Sequence, residues 1–141
     1  MTKWNWTGRA ALAAALALTL ASCGSSSSPD AVPSPTRTTE TFTGSLASKG
    51  AAYHPFAVAT LGAVDVTLTK TDPVATITVG LGVTQTASGA CIPVLLAYNN
   101  TAATGTVISG TADVGSYCAA IYDVGNIGTD PINYTITVTH P

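Results

Sequence analysis

Apolar and polar residues alternate strictly along three segments of the chain. The segments are residues 64–70, 75–82 and 134–139, in which apolar side chains occupy every second position and Thr or Gly most of the others. Strict alternation over five or more residues is typical of a β-strand with one buried face. Further strands are predicted near residues 40–45, 53–60, 92–98, 105–112 and 115–123. The pattern therefore predicts about eight strands and no helix.

Turn-forming residues separate these strands, for example at Thr71-Asp72-Pro73 and Asn99-Asn100. Many one-sided strands bury their apolar faces when two antiparallel sheets pack face to face. The segment 115–122 is apolar on both faces, which predicts a central strand with a neighbour on each side. The expected fold class is all-β: an antiparallel two-sheet β-sandwich of jelly-roll or similar Greek-key type.

The N-terminal end has a different pattern. Lys3 and Arg9 precede an apolar run at residues 10–21, whereas a helix that spans a bilayer needs about 20 apolar residues. A basic start, a short apolar run and small residues after it predict a secretory signal peptide over residues 1–22, which is cleaved.

The apolar run ends in Leu20-Ala21-Ser22-Cys23. This sequence resembles the bacterial lipobox, which implies that Cys23 receives diacylglycerol and palmitate and anchors the mature lipoprotein in a membrane. The alternative is an ordinary signal peptide that ends beside a cysteine. Gly24 rather than Asp follows the cysteine, which by analogy with enterobacterial sorting favours the outer membrane in a host that has one. Residues 23–39 are rich in Ser and Pro and are expected to be a flexible tether.

Cleavage changes the charge of the chain. Loss of Lys3 and Arg9 leaves three basic residues against seven acidic ones, a net charge of −4. Such a chain has no cationic surface for phosphate groups, so nucleic acid is not an expected partner. The expected domain is 40–141, and its composition, rich in Thr, Val, Ala and Gly, suits strands and tight turns.

Cys91 and Cys118 remain once Cys23 is acylated. An even pair in an exported protein predicts one structural disulfide. Closing a loop of this length stabilises a fold by about 3 kcal/mol in the chain-entropy model. A redox or metal pair is the alternative, but neither C-x-x-C spacing nor a histidine cluster accompanies these residues.

The C-terminal part of the chain resembles the end of bacterial pre-peptidase C-terminal domains. In those domains a Gly-x-Tyr strand precedes a short loop and a Tyr-x-(Leu/Ile)-x-Val strand; here residues 115–126 are followed by 133–138. The resemblance covers the expected domain and implies an accessory β-sandwich that binds a polysaccharide or matrix ligand. An immunoglobulin domain is the competing sandwich, but its core tryptophan is missing because Trp4 and Trp6 lie in the predicted signal peptide.

Catalytic chemistry finds little support in the sequence. His54 and His140 are expected at a surface or an edge, and no nucleophile motif accompanies either of them. The acidic residues of the domain lie mostly at predicted turns, and the sequence does not pair them: Glu40, Asp65, Asp72, Asp113, Asp123 and Asp130. We therefore predict no catalytic residues, no enzyme activity and no cofactor.

Calcium is the one metal for which candidate ligands exist. Asp123, Asn126 and Asp130 offer hard oxygen atoms within one short segment. Their spacing matches no defined calcium loop, and a turn rich in Asp, Asn and Gly is the alternative. No metal site is predicted, and these three residues are the candidates if structural calcium binds.

Two non-enzymatic functions follow from these observations. The first is a structural or protein-interaction module of the cell envelope, held by its lipid anchor, with an envelope protein as partner. The second is a carbohydrate or matrix-binding module, which needs aromatic rings exposed on one sheet to stack on sugars. Three or more exposed rings on one sheet would favour the second, and buried rings would favour the first. A hydrolase would need two carboxylates, or a histidine and a carboxylate, facing one cleft.

Overall fold

A computed structural model describes residues 34–84 and 91–141, with the backbone alone for residues 91–94. The predicted signal peptide, Cys23 and residues 23–33 of the predicted tether lie outside the described residues. The described part begins just before the first strand.

Eight β-strands account for most of the described residues, which confirms the predicted all-β fold. They are β1 (Thr38–Leu46), β2 (Ala51–Val58), β3 (Gly62–Asp72), β4 (Ile77–Thr84), β5 (Cys91–Ala102), β6 (Val107–Ala112), β7 (Gly115–Tyr122) and β8 (Ile132–His140). The residues described contain no helix. Accordingly, no helix long and apolar enough to cross a membrane is found in that part of the chain.

The strands form two four-stranded antiparallel sheets, as predicted. Sheet A has the strand order β1-β8-β3-β6, and sheet B has the order β2-β7-β4-β5. The strand β7 lies between β2 and β4, which confirms the central position predicted from its two apolar faces. β1 and β6 are the edges of sheet A; β2 and β5 are the edges of sheet B.

The core lies between the two sheets and follows the alternation in the sequence. Val64, Val66 and Leu68 of β3 face Val79 and Leu81 of β4 across it, and all five are fully buried. The outward positions of sheet A carry mainly Thr, as the pattern predicted. Packing apolar side chains of both sheets in one layer removes them from water, which is the main stabilising contribution to such a sandwich.

Two aromatic contacts close the side of the sandwich where β1 and β2 meet. The ring of His54 stacks on that of Phe42, with centroids 4.8 Å apart, and its Nε2 lies 2.8 Å from the hydroxyl of Tyr134. Tyr134 fits because Gly44, its partner in the β1–β8 register, has no side chain. A Cβ atom at Gly44 would lie 2.5 Å from the Tyr134 hydroxyl oxygen.

Candidate functional site

The seven aromatic rings of the domain divide between the core and one outer face. Phe42, Phe56, Tyr117 and Tyr134 belong to the core or pack against it. Tyr53, Tyr98 and Tyr122 lie on the outer face of sheet B instead, because each pairs in register with a residue that points away from the core. Tyr53 is 42% exposed and Tyr98 58% exposed, and Tyr122 is half-buried.

The strand register places two of these tyrosines in one transverse row. Tyr53 of β2 pairs with Ala120 of β7, Ala120 pairs with Gly80 of β4, and Gly80 pairs with Tyr98 of β5. Side chains of paired residues point to the same face of a sheet. Tyr53 and Tyr98 therefore stand at the two ends of a row whose middle positions are small.

Leu95 and Tyr122 complete this surface, which we call the tyrosine face: Tyr53, Tyr98, Tyr122 and Leu95 above the small residues Gly80 and Ala120. Tyr53, Leu95 and Tyr122 line a depression of about 390 Å³ together with Lys49, Gly50, Ala51 and Asp123. Burial raises the pKa of the Tyr122 hydroxyl, and the neighbouring hydroxyls of Tyr98 and Tyr53 raise it further.

Glycine at position 80 gives Leu95 its place on this face. A Cβ atom at Gly80 would lie 2.8 Å from one methyl carbon of Leu95. The Leu95 side chain thus lies over the backbone of β4, and Gly80 and Ala120 are buried although they point away from the core. The small residues let the larger side chains pack on the outside of the sheet.

Among the described residues, charged side chains border the tyrosine face at one end and are missing from its centre. Among the described side chains, those that point outward from sheet B are Tyr, Thr, Ser, Asn, Leu, Pro, Cys, Ala and Gly, with no charged group. Lys49 and Asp123 border the depression at one end. The centre of the face therefore offers aromatic and aliphatic surface with hydroxyl groups around it.

The carboxylate of Asp123 organises the loop beside this depression. Its Oδ1 accepts hydrogen bonds from the backbone N–H groups of Gly125, Asn126 and Ile127, at 3.0, 2.7 and 3.1 Å. Its Oδ2 accepts one from the N–H of Lys49 at 2.8 Å. Burial alone would raise the pKa of Asp123, but these four donors together lower it below its ordinary value.

The three calcium candidates differ in their surroundings. Asp123 is buried and bonded to backbone N–H groups, Asn126 donates its side-chain amide to the carbonyl of Asn100, and Asp130 is exposed. Within residues 34–84 and 91–141, no three His, Cys, Asp or Glu side chains are close enough together to hold a metal ion. The hydrogen bonds of Asp123 are those of a loop-stabilising carboxylate.

A histidine and a carboxylate do form a pair, between Glu40 of β1 and His140 of β8. Their Oε1 and Nε2 atoms lie 2.9 Å apart, and the Nδ1 atom of His140 lies 3.1 Å from the backbone oxygen of Pro141. The ring also packs against Phe56, with centroids 5.2 Å apart. His140 is 5% exposed, and each of its ring nitrogens lies within hydrogen-bond distance of a protein oxygen. A general acid or base needs a nitrogen within hydrogen-bond reach of the substrate, and these contacts are those of a structural residue.

The surface or edge position predicted for His140 is wrong. His140 is buried, because the alternation of β8 continues to its end and turns this side chain toward the core. His54 does lie on an edge strand, as predicted, but its ring points inward against Phe42 and Tyr134. An imidazole whose polar atoms find partners can be buried like an apolar ring.

The backbone register brings the predicted disulfide partners to the two sides of β4. Cys91 of β5 pairs with Thr84 of β4, and Cys118 of β7 pairs with Gly82 of β4. Gly82 and Thr84 are two residues apart on that strand. Cys118 is buried on the outer face of sheet B. The Cys91 side chain lies outside the described atoms, so the bridge itself stays a prediction.

Sequence reasoning missed the tyrosine face. The sequence pattern alone does not show which strands are neighbours, so it does not bring Tyr53 and Tyr98 into one row. A signal was present, because Gly80 and Gly82 occupy the outward positions of β4, and neighbouring large side chains can pack over glycine.

Neither protein-family models nor curated proteins give a match to this chain. The resemblances to the lipobox and to pre-peptidase C-terminal domains therefore stay predictions from the sequence.

Proposed function

We propose that this domain is a non-catalytic binding module that takes a polysaccharide or matrix ligand on its tyrosine face. The observation that carries the proposal is the position of Tyr53, Tyr98 and Tyr122 on one outer sheet face. Two of these rings are exposed, one fewer than the three named above, and the third is half-buried and lines the depression. Monomeric proteins that expose aromatic surface of this kind commonly use it for binding.

The chemistry of the face suits a sugar. Aromatic rings offer a flat apolar surface with a polar hydroxyl at the edge, and a sugar ring offers a C–H face with hydroxyl groups around it. Stacking places the C–H face on the ring while hydroxyls of both partners remain in reach of hydrogen bonds. The rival function, a protein-interaction module, would also use tyrosines as anchors, and it is an outcome of the test below.

The module is expected to act at a membrane surface in the cell envelope, the outer membrane in a host that has one. Support comes from the lipobox-like sequence ending at Cys23 and from the Ser- and Pro-rich residues that follow. Two acyl chains hold a protein on a bilayer far better than one. Fatty-acid labelling in a bacterial host should mark the wild-type protein, and Cys23→Ala should release it from the membrane fraction. Membrane retention of unlabelled protein would contradict the anchor.

We further infer a jelly-roll type of sandwich stabilised by one disulfide. The strand orders β1-β8-β3-β6 and β2-β7-β4-β5 support the first inference, since each sheet alternates strands from the two ends of the chain. The positions of Cys91 and Cys118 beside β4 support the second. Non-reducing peptide mapping of the exported protein should recover both cysteines in one linked peptide; two free thiols would contradict the bridge.

Affinity electrophoresis through gels that contain single polysaccharides tests the function. Neutral β-linked glucan, xylan and mannan should include at least one that retards the wild-type domain. Tyr53→Ala and Tyr98→Ala should migrate faster in that gel, while Leu61→Ala, which removes a 61% exposed side chain outside the face, should migrate as wild type. Equal retardation of all four proteins, or of none, would contradict the proposal. The retarding polysaccharide should show no new reducing ends, since the module is proposed to be non-catalytic.

A further inference from the structure

We infer that the ligand is an uncharged, extended glycan segment that lies across the strands of sheet B, from Tyr53 on one edge strand to Tyr98 on the other. This inference rests on the proposed function and specifies the class and direction of the ligand. It follows from the row of paired residues, from the small side chains within it and from the charges around it.

The row fixes the direction. Tyr53 and Tyr98 belong to the same transverse row, whereas the outward neighbours of Tyr53 along β2 are Ala51 and Pro55. The second exposed ring is therefore found by crossing the sheet and not by following a strand. The ends of the row are three strands apart in the sheet order, and across a flat sheet three strand spacings amount to about 14 Å. That span accommodates a short oligosaccharide and is longer than one sugar ring.

The middle of the row lets one ligand contact both rings. Ala120 and Gly80 are the two residues between the tyrosines, and neither has a side chain longer than a methyl group. Tyr122 stands in the next outward row, where it pairs with Ala51 of β2 and Thr78 of β4. A glycan that crosses this row would lie on the Leu95 side chain above Gly80, with a ring at each end and a third ring beside it.

The charges favour an uncharged ligand. Residues 34–141 carry three basic and six acidic side chains, so the domain repels polyanions. Of the basic groups only Lys49 borders the depression, next to the Asp123 carboxylate. A sulfated or uronic-acid polymer, or an anionic lipid headgroup, would need a cluster of Arg or Lys that the described face does not supply.

The tyrosine face lies at the end of the sandwich away from the start of β1. The tether joins β1 at Thr38, and the guanidinium group of Arg37 holds this junction by bonding Asp65 and the carbonyls of Ala63 and Thr139. β1 then runs to Leu46, and a short turn leads into β2, where Tyr53 is the third residue. Tyr53 thus lies near the end of the sandwich that contains the turn between β1 and β2, and the start of β1 lies at the other end.

Titration calorimetry with oligosaccharides of increasing length tests this inference. The probes are di- to hexasaccharides of β-linked glucose, xylose and mannose, together with an oligogalacturonide of matched length as the acidic comparison. The wild-type domain should bind the longer neutral probes of one series at least about tenfold more tightly than its disaccharide. Tyr53→Ala and Tyr98→Ala should each abolish that gain with length, while Leu61→Ala should keep it. Affinity should not change between low and high salt.

The outcomes separate this inference from the proposed function. If Tyr53→Ala weakens binding while Tyr98→Ala keeps both affinity and gain with length, the ligand does not cross the sheet; the binding module stands and the inference fails. Tighter binding of the oligogalacturonide would also overturn the inference alone. If no saccharide binds, or if no tyrosine substitution matters, both fail. Sedimentation equilibrium without ligand completes the test. If the wild-type domain is a dimer and Tyr98→Ala is a monomer, a second copy of the chain occupies the tyrosine face. That result would overturn both the inference and the proposed function.

Discussion

The carboxylate of Asp123 accepts a hydrogen bond from the backbone N–H of Lys49, 2.8 Å away, and so ties the loop after β7 to the turn between β1 and β2. The backbone N–H of Asp123 returns a bond to the carbonyl of Gly50 at 3.0 Å. Lys49 has a φ of 56°, a conformation that non-glycine residues adopt only when their surroundings favour it. Both segments border the tyrosine face.

Replacing Asp123 by Ala is therefore expected to lower the free energy of unfolding by about 3 kcal/mol, because four backbone donors lose a charged acceptor. Urea denaturation would measure the loss. Asp130→Ala is the matched control, since it removes an exposed carboxylate from the same loop; its effect should stay within about 0.5 kcal/mol. Equal losses of unfolding free energy in the two variants would show that the hydrogen bonds of Asp123 do not stabilise the fold.

The same carboxylate gives stability a defined pH dependence at the acid end. Its folded pKa lies below the ordinary value of 3.8, so its contribution is present above that value and is lost as pH falls through the folded pKa. Wild type should therefore lose more stability than Asp123→Ala during acidification below about pH 4. Parallel acid-denaturation curves for the two proteins would contradict this assignment.

Gly44→Ala is expected to destabilise the domain by about 2 kcal/mol. Its new methyl group would overlap the ring of Tyr134, which is buried and bonded to His54. Gly128→Ala is the matched control, because a Cβ atom there meets nothing within 4 Å, and it should leave stability unchanged or slightly increased. Thermal unfolding of both variants measures the difference. If the Gly44→Ala protein is as stable as wild type, the Tyr134 ring can move aside with no loss of unfolding free energy, and the prediction is wrong.

His54 should make the domain less stable in mildly acidic solution. Burial lowers the pKa of this imidazole below 6.5, so the folded state favours the neutral ring, and stability falls as pH drops through 6.5 toward the folded pKa. His54→Gln keeps a hydrogen-bonding group near Tyr134 but does not titrate. Between about pH 7.5 and about pH 5, wild type should lose more unfolding free energy than this variant. Identical losses would place the pH dependence elsewhere.

The fold was largely predictable because the alternation of apolar and polar residues indicates which side chains of a strand are buried. The strict patterns of β3, β4 and β8 identified those strands, and the apolar faces of β7 identified it as central. Where a residue is assigned from its polarity and not from its place in the alternation, a buried polar residue is assigned to the surface. His140 illustrates this, since its imidazole is buried beside Glu40.

The candidate site could not be predicted in the same way, because it depends on which strands are neighbours. Tyr53 and Tyr98 lie on β2 and β5, which do not pair with each other and are separated in the sheet order by β7 and β4. Their common row is a property of the register of three strand pairs. A sequence read one strand at a time gives the face of each side chain and not its position across the sheet.

The five tyrosines of the domain allow the most direct test of the account, since three lie on the tyrosine face and Tyr117 and Tyr134 pack in the core. The measurement is NMR of the domain with isotope-labelled tyrosine rings, assigned by single Tyr→Phe substitutions and titrated with the polysaccharide that retards it most in affinity gels. We predict that the ring signals of Tyr53, Tyr98 and Tyr122 shift in a saturable way while those of Tyr117 and Tyr134 stay in place. Saturable binding that leaves all five ring signals unmoved would contradict the account, because the ligand would then bind elsewhere.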